Sequence, residues 1–174
     1  MTESSPKPRT SLMSRRTLLR SAVLAGIVGA VARLAHLREP RAGLRKLDEH
    51  EAELVAHLGD ILFPAGGVLG ISARDVDIVT RVDDVLCEVL LPVSADGFRY
   101  LLRGLDYVST FTHSTRFCAC DLAKQTEILE AWGAEMPGKL GYESIRSVLS
   151  MAFFNHPAVL ERVGFRPRCE QGKA

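Results

Sequence analysis

From residue 48 onwards, apolar residues recur every three or four positions, and prolines and glycines interrupt the pattern at intervals. This spacing places apolar side chains along one face of an α-helix, which must then be buried against another element. No strand-like alternation persists beside it. The sequence therefore predicts an all-α fold, an irregular bundle of about five helices that follows an N-terminal segment of different character.

The ends of these helices are predicted from capping residues and helix breakers. The five predicted helices run from Asp48 to Pro64, from Ser72 to Pro92, from Ser94 to about Thr110, from a cap at Asp121 to about Trp132, and from Tyr142 to Phe153. Asp48 and Glu51 have the spacing of a capping box. "MPGKLG" (136–141) is predicted to separate the last two helices, and Val159 to Arg162 to add one turn.

The N-terminal segment differs from the rest in charge. The first 32 residues carry five basic residues and one acidic residue, whereas the remainder carries 17 basic and 20 acidic residues, a net charge of −3. A body of this sign lacks the basic surface that phosphate groups require, so we expect no nucleic-acid partner.

Residues 1–35 are predicted to be a signal segment, 36–47 a linker and 48–174 the helical domain. Basic residues precede twelve uncharged residues (21–32), which as a helix span about 18 Å, too short for a bilayer core of about 30 Å. "SRRTLLR" resembles a twin-arginine (Tat) export signal, and "AVA" resembles a cleavage site. The predicted targeting residues are Ser14, Arg15, Arg16, Leu18 and Leu19, and the cleavage candidates are Ala30 and Ala32.

Four cysteines and several histidines offer alternative chemistries. Cys87 is predicted to be a core residue, whereas Cys118, Cys120 and Cys169 are disulfide candidates whose pairing stays open. His50, Glu53 and His57 share roughly one helix face, which could bind a metal, but a solvated face is the favoured interpretation and no metal site is predicted.

The chain contains no sequence motif for a nucleophile, a phosphate-binding loop or a dinucleotide-binding turn. Asp60, Asp83 and Asp84 could in principle act as acids or bases, but capping or solvated roles are favoured. The sequence thus predicts no catalytic residue and no cofactor bound by this chain.

The order of segments resembles the gluconate 2-dehydrogenase subunit 3 family, the small subunits of exported flavin dehydrogenases. The resemblance rests on "LGDILFPAGG" (58–67), "SARDVDIVTRVDDVL" (72–86), "GFRYLLRGLD" (97–106), "LAKQTEILEAW" (122–132) and "FFNHPAVLERVGF" (153–165). Phe153-Phe154 stands where the family often has Tyr-Tyr.

The resemblance implies a non-catalytic accessory subunit that escorts a large FAD-dependent sugar or alcohol dehydrogenase subunit through the Tat translocase. It also implies a location in the periplasm or at the periplasmic face of the inner membrane, often with a cytochrome c subunit as a further partner. Aromatic residues outside the predicted helix faces, or at their ends, are candidate partner contacts, although each could equally cover the core locally. They are Phe111, Phe117, Phe153, Phe154 and Phe165.

Two alternatives stay open. One is a free-standing exported helical protein that binds or supports other molecules. The other is a thiol or metal redox protein that uses Cys118 and Cys120, or the face of His50, Glu53 and His57.

Overall fold

The computed structural model of the protein describes residues 38–134 and 136–165, and within these ranges it contains helices and no strand. The α-helices are α1 (Glu49–Leu62), α2 (Ile78–Asp84), α3 (Pro92–His113), α4 (Leu122–Ala134), α5 (Gly138–Phe154) and α6 (Pro157–Arg162). A π-helical turn (Val85–Val89) continues α2, and a 3-10 turn (Phe117–Ala119) lies between α3 and α4. The predicted all-α class is confirmed, and the extra turn predicted near residue 159 is the separate helix α6.

The helix starts follow the capping chemistry of the sequence in two places. Asp48 accepts a hydrogen bond from the Glu51 amide at 2.9 Å, and Glu51 accepts one from the Asp48 amide at 3.1 Å, so the predicted capping box is confirmed. Asp121 accepts from the amide of Lys124 at 2.8 Å and satisfies a free donor in the first turn of α4.

The second helix begins later than predicted. The Asp75 carboxylate accepts from both the amide and the hydroxyl of Ser72, which closes a turn. These bonds hold the pKa of Asp75 below its usual value. Asp77 then adopts a left-handed backbone conformation, with φ of 49°, and α2 starts only at Ile78. Local side-chain bonds to the backbone thus compete with helix formation over residues 72–77.

The core is built from the faces that the periodicity predicted. Leu54 and Leu58 of α1, Leu102 and Leu105 of α3, and Leu149 of α5 are completely buried. The ring of Phe63, just beyond α1, stacks on that of Phe153 with centroids 4.1 Å apart. Among the described residues, none of the helices combines the length and apolarity needed to cross a membrane.

The segment before α1 is held against the helical body. The side chain of Asp83, almost completely buried, accepts hydrogen bonds from three consecutive amides, those of Arg45, Lys46 and Leu47, at 2.7 to 2.9 Å. Leu47 itself is buried in the core. The C-terminal end of the predicted linker is therefore packed on α2, where a buried carboxylate satisfies its backbone.

Candidate functional sites

The predicted targeting and cleavage residues (Ser14, Arg15, Arg16, Leu18, Leu19, Ala30 and Ala32) lie outside the residues that the structure describes, as does Cys169. Their roles stay predictions from the sequence.

The five candidate partner-contact phenylalanines divide into two groups. Phe117 and Phe153 are buried in the core of this chain and have no surface to offer a second protein, which corrects that part of the prediction. Their aromatic rings fill space between helices, which is the alternative role that the sequence left open. Phe111, Phe154 and Phe165 are exposed by 79%, 44% and 58%, so the candidate interface narrows to these three residues.

An exposed aromatic pair stands on α3. Tyr107 and Phe111 lie one helical turn apart, and their rings are nearly parallel with centroids 6.4 Å apart. Tyr107 is 53% exposed, and the sequence interpretation did not single it out. The i, i+4 spacing of the two aromatics was the available signal, but only the structure shows that the pair faces away from the core. Two aromatic rings in water form the type of surface that is enriched in protein interfaces.

A second apolar surface was also missed. A groove of about 690 Å³ runs between α3 and α5, lined mainly by apolar side chains that include Phe98, Leu101, Leu140 and Met151. Leu91 and Val93 stand exposed at the start of α3. Helical periodicity assigns such residues to the edge of a core face, and it cannot show whether a neighbouring helix covers them.

The carboxylates considered for acid–base work have other partners. Asp60 receives hydrogen bonds from the Arg74 guanidinium, and Asp84 accepts one from Arg45 at 2.7 Å. Asp83 accepts hydrogen bonds from the three consecutive backbone amides described above. Asp60 and Asp84 thus form ion pairs with arginines, and Asp83 provides the hydrogen-bond acceptor for buried backbone N–H groups.

A buried polar network joins α1 to α3. The carboxylate of Glu51, completely buried, accepts from the Nε groups of Arg99 and Arg103, each at 2.7 Å. Arg103 also donates to Asp48 at 2.6 Å. The capping residues of α1 are therefore at the same time the acceptors for two arginines of α3, a role that the sequence interpretation did not find because it depends on the crossing of the two helices.

The cysteines of the described part are not bonded to one another: Cys87, Cys118 and Cys120 are free thiols. Burial raises the pKa of Cys118 to about 12, and the nearby carboxylates of Glu53 and Asp106 add to the effect. Burial also raises the pKa of Cys87, with a further contribution from Asp83. A thiol that is reluctant to ionise is a poor nucleophile, so the geometry gives no support to thiol redox chemistry at Cys118.

The structure brings together only two of the three residues on the candidate metal face of α1. His57 does not join His50 and Glu53, because its Nδ1 atom is 3.0 Å from the Nε2 amide of Gln125 on α4. Cys118 takes its place: one ligand atom from each of His50, Glu53 and Cys118 lies within 4.8 Å of the other two. This cluster combines α1 with the 3-10 turn.

Gln125 organises the neighbourhood of that turn. Its side chain is buried, and its Nε2 group also donates to the backbone carbonyl of Phe117 at 3.0 Å. The polar residue on the inner side of α4 thus ties the 3-10 turn to α1.

A family model described as gluconate 2-dehydrogenase subunit 3 matches residues 49–167. The match begins at the first residue of α1 and extends past the end of α6. No curated protein and no solved structure matches the chain.

Proposed function

Because this chain belongs to the gluconate 2-dehydrogenase subunit 3 family and is thus an accessory subunit of a dehydrogenase complex, we propose that it is the non-catalytic escort of a flavin-dependent catalytic subunit. The observation that carries the proposal is the extent of the family match, which covers all six described α-helices. In this proposal the partner holds FAD and oxidises a sugar or alcohol, and a cytochrome c subunit accepts the electrons.

The escort role is supported by surface chemistry. Tyr107, Phe111, Phe154 and Phe165 expose large rings to solvent. A stable interface of standard size buries about 1,600 Å² in total, with aromatic residues enriched at its centre. A partner that covers these rings gains the free energy of apolar burial, and a subunit that binds only the folded partner stabilises it by mass action.

The export role is supported by the N-terminal sequence. The serine and two arginines of Ser14-Arg15-Arg16, followed by a short apolar stretch, have the pattern of a signal for a machinery that accepts folded cargo. One leader can then serve two chains, provided that they associate before transport. We therefore propose that the complex assembles in the cytoplasm and works at the periplasmic face of the inner membrane.

Replacing both Arg15 and Arg16 with lysine tests this proposal in cells that express the whole complex. We expect dehydrogenase activity and the catalytic subunit to remain in the cytoplasmic fraction, because the charge is kept while the guanidinium geometry is lost. The matched control replaces Arg9 and Arg20 with lysine, the same number and kind of changes in the same segment, and should leave export normal.

Two results would contradict the proposal. One is normal periplasmic dehydrogenase activity in the Arg15→Lys, Arg16→Lys variant. The other is a native chain that purifies without any flavoprotein, which would favour a free-standing helical protein.

A further inference from the structure

We propose that His50, Glu53 and Cys118 bind a divalent cation of the zinc class. The two α1 residues are one turn apart, and the thiol comes from the 3-10 turn that follows α3. The Nδ1 atom of His50 is 3.7 Å from a carboxylate oxygen of Glu53, and the three ligand atoms all lie within 4.8 Å of one another. In a tetrahedral zinc site, ligand atoms about 2.0 to 2.3 Å from the ion are about 3.3 to 3.5 Å apart. Small side-chain rotations therefore suffice to close the site.

Asp106 of α3 holds two of the three proposed ligands in place through its carboxylate. One carboxylate oxygen of Asp106 lies 3.0 Å from Nε2 of His50, and the other accepts a hydrogen bond from the backbone amide of Phe117 at 2.9 Å. The first contact favours the tautomer in which Nε2 carries the proton, so that Nδ1, 3.7 Å from the Glu53 carboxylate, keeps its lone pair for an ion. The second fixes the residue next to Cys118. A single carboxylate of α3 thus orients two of the three ligands, the arrangement that supports histidine ligands in metal sites.

The donor atoms select the class of cation. One imidazole nitrogen, one thiolate sulfur and one carboxylate oxygen suit zinc and similar borderline ions, whereas magnesium and calcium prefer oxygen alone. Three protein ligands leave a fourth position for water or for a side chain of a bound protein. Binding releases the Cys118 thiol proton to solvent, so charge and atoms balance without any redox step.

The site has a structural consequence that does not depend on the export role. The ion would join the N-terminal half of α1 to the turn after α3, next to Asp106 and the exposed Tyr107–Phe111 pair. It would therefore restrain the end of α3 that carries these two rings.

A different arrangement is available to the same residues. In this arrangement a protonated His50 forms ion pairs with the carboxylates of Asp106 and Glu53, no metal ion is bound, and Cys118 takes no part. This alternative predicts no stoichiometric metal binding, so a binding measurement separates the two.

The experiment measures zinc bound to the full-length chain in the presence of a non-thiol reductant, after dialysis against a competing chelator at known free Zn²⁺. We expect about one zinc per chain, and at least a tenfold weaker affinity in Glu53→Gln and in Cys118→Ser. The matched controls are Glu127→Gln, an exposed glutamate on α4, and Cys120→Ser, directly after the same 3-10 turn, and both should bind like the unaltered chain.

Cobalt gives a second readout. Co²⁺ in the site should show a thiolate-to-cobalt charge-transfer band that Cys118→Ser lacks and Cys120→Ser keeps. Glu53 is more than half exposed, so Glu53→Gln reports on the site even if the serine variant fails to fold. The proposal is overturned if the unaltered chain binds no stoichiometric zinc, if Glu53→Gln binds zinc as tightly as Glu127→Gln, or if bound cobalt shows no thiolate band.

Discussion

At the scale of single residues, the most consequential side chain is the carboxylate of Glu51. It closes the cap of α1 and, completely buried, accepts from two arginines of α3. An unpaired charge in such a place is costly, because the surroundings cannot solvate it as water does. The network therefore couples the position of α3 to the two acidic residues, Asp48 and Glu51, that cap the start of α1.

We expect Glu51→Gln to lower the free energy of unfolding by about 3 kcal/mol or more, since the change removes the buried anion to which both Arg99 and Arg103 donate. Urea denaturation of the full-length chain measures the effect. Glu127→Gln removes the exposed pair with Lys124 and should cost less than about 1 kcal/mol. Equal losses in the two variants would show that the Glu51 network contributes no more than a surface pair.

At the scale of elements, the contact between α4 and α5 depends on two glycines, and one of them, Gly141, lies in the segment that was predicted to separate these helices. A Cβ atom on Gly141 would overlap the Trp132 ring, and one on Gly133 would come within 3.0 Å of the Tyr142 ring. Each helix thus offers a glycine beneath an aromatic ring of the other. The glycines of "MPGKLG" lie within α5, which starts at Gly138, because close packing rather than chain reversal requires them.

Two glycine substitutions separate packing from helix propensity. Gly141→Ala should destabilise the chain by about 1 to 3 kcal/mol, because the added methyl group meets the Trp132 ring. Gly104→Ala, in the interior of α3 with open space around its Cα, should stabilise it by about 0.5 to 1 kcal/mol. Unfolding midpoints of both variants provide the check, and a stabilising Gly141→Ala would contradict the packing described for this pair.

At the scale of the whole molecule, the exposed rings of Tyr107 and Phe111 stand out because they do not pack into the core of this chain. Residues that pack α1, α3 and α5 are buried, yet Tyr107 and Phe111 face solvent as a stacked pair. Their burial would contribute to an interface and not to the stability of the isolated chain.

The double variant Tyr107→Ser, Phe111→Ser should leave the unfolding midpoint of the isolated chain nearly unchanged and weaken binding of the catalytic subunit at least tenfold. The amount of flavoprotein that co-purifies with a tagged chain at decreasing concentration measures the loss. Val68→Ser, which alters a fully exposed apolar residue in a loop, is the control and should have no effect. Undiminished capture by the double variant would place the interface on another surface, such as the groove between α3 and α5.

Local chemistry was sufficient for the class of fold, the cap of α1, the cap of α4 and the buried faces of α1, α3 and α5, because periodicity and capping depend on residues within one or two turns of each other. It was also sufficient for the family, whose segments follow the helices in order. The burial of Phe117 and Phe153, the pairing of Glu51 with α3 and the grouping of Cys118 with His50 and Glu53 were decided by tertiary structure. Each of these joins residues far apart in the chain, and their distance is set by how helices cross, which no short stretch of sequence encodes.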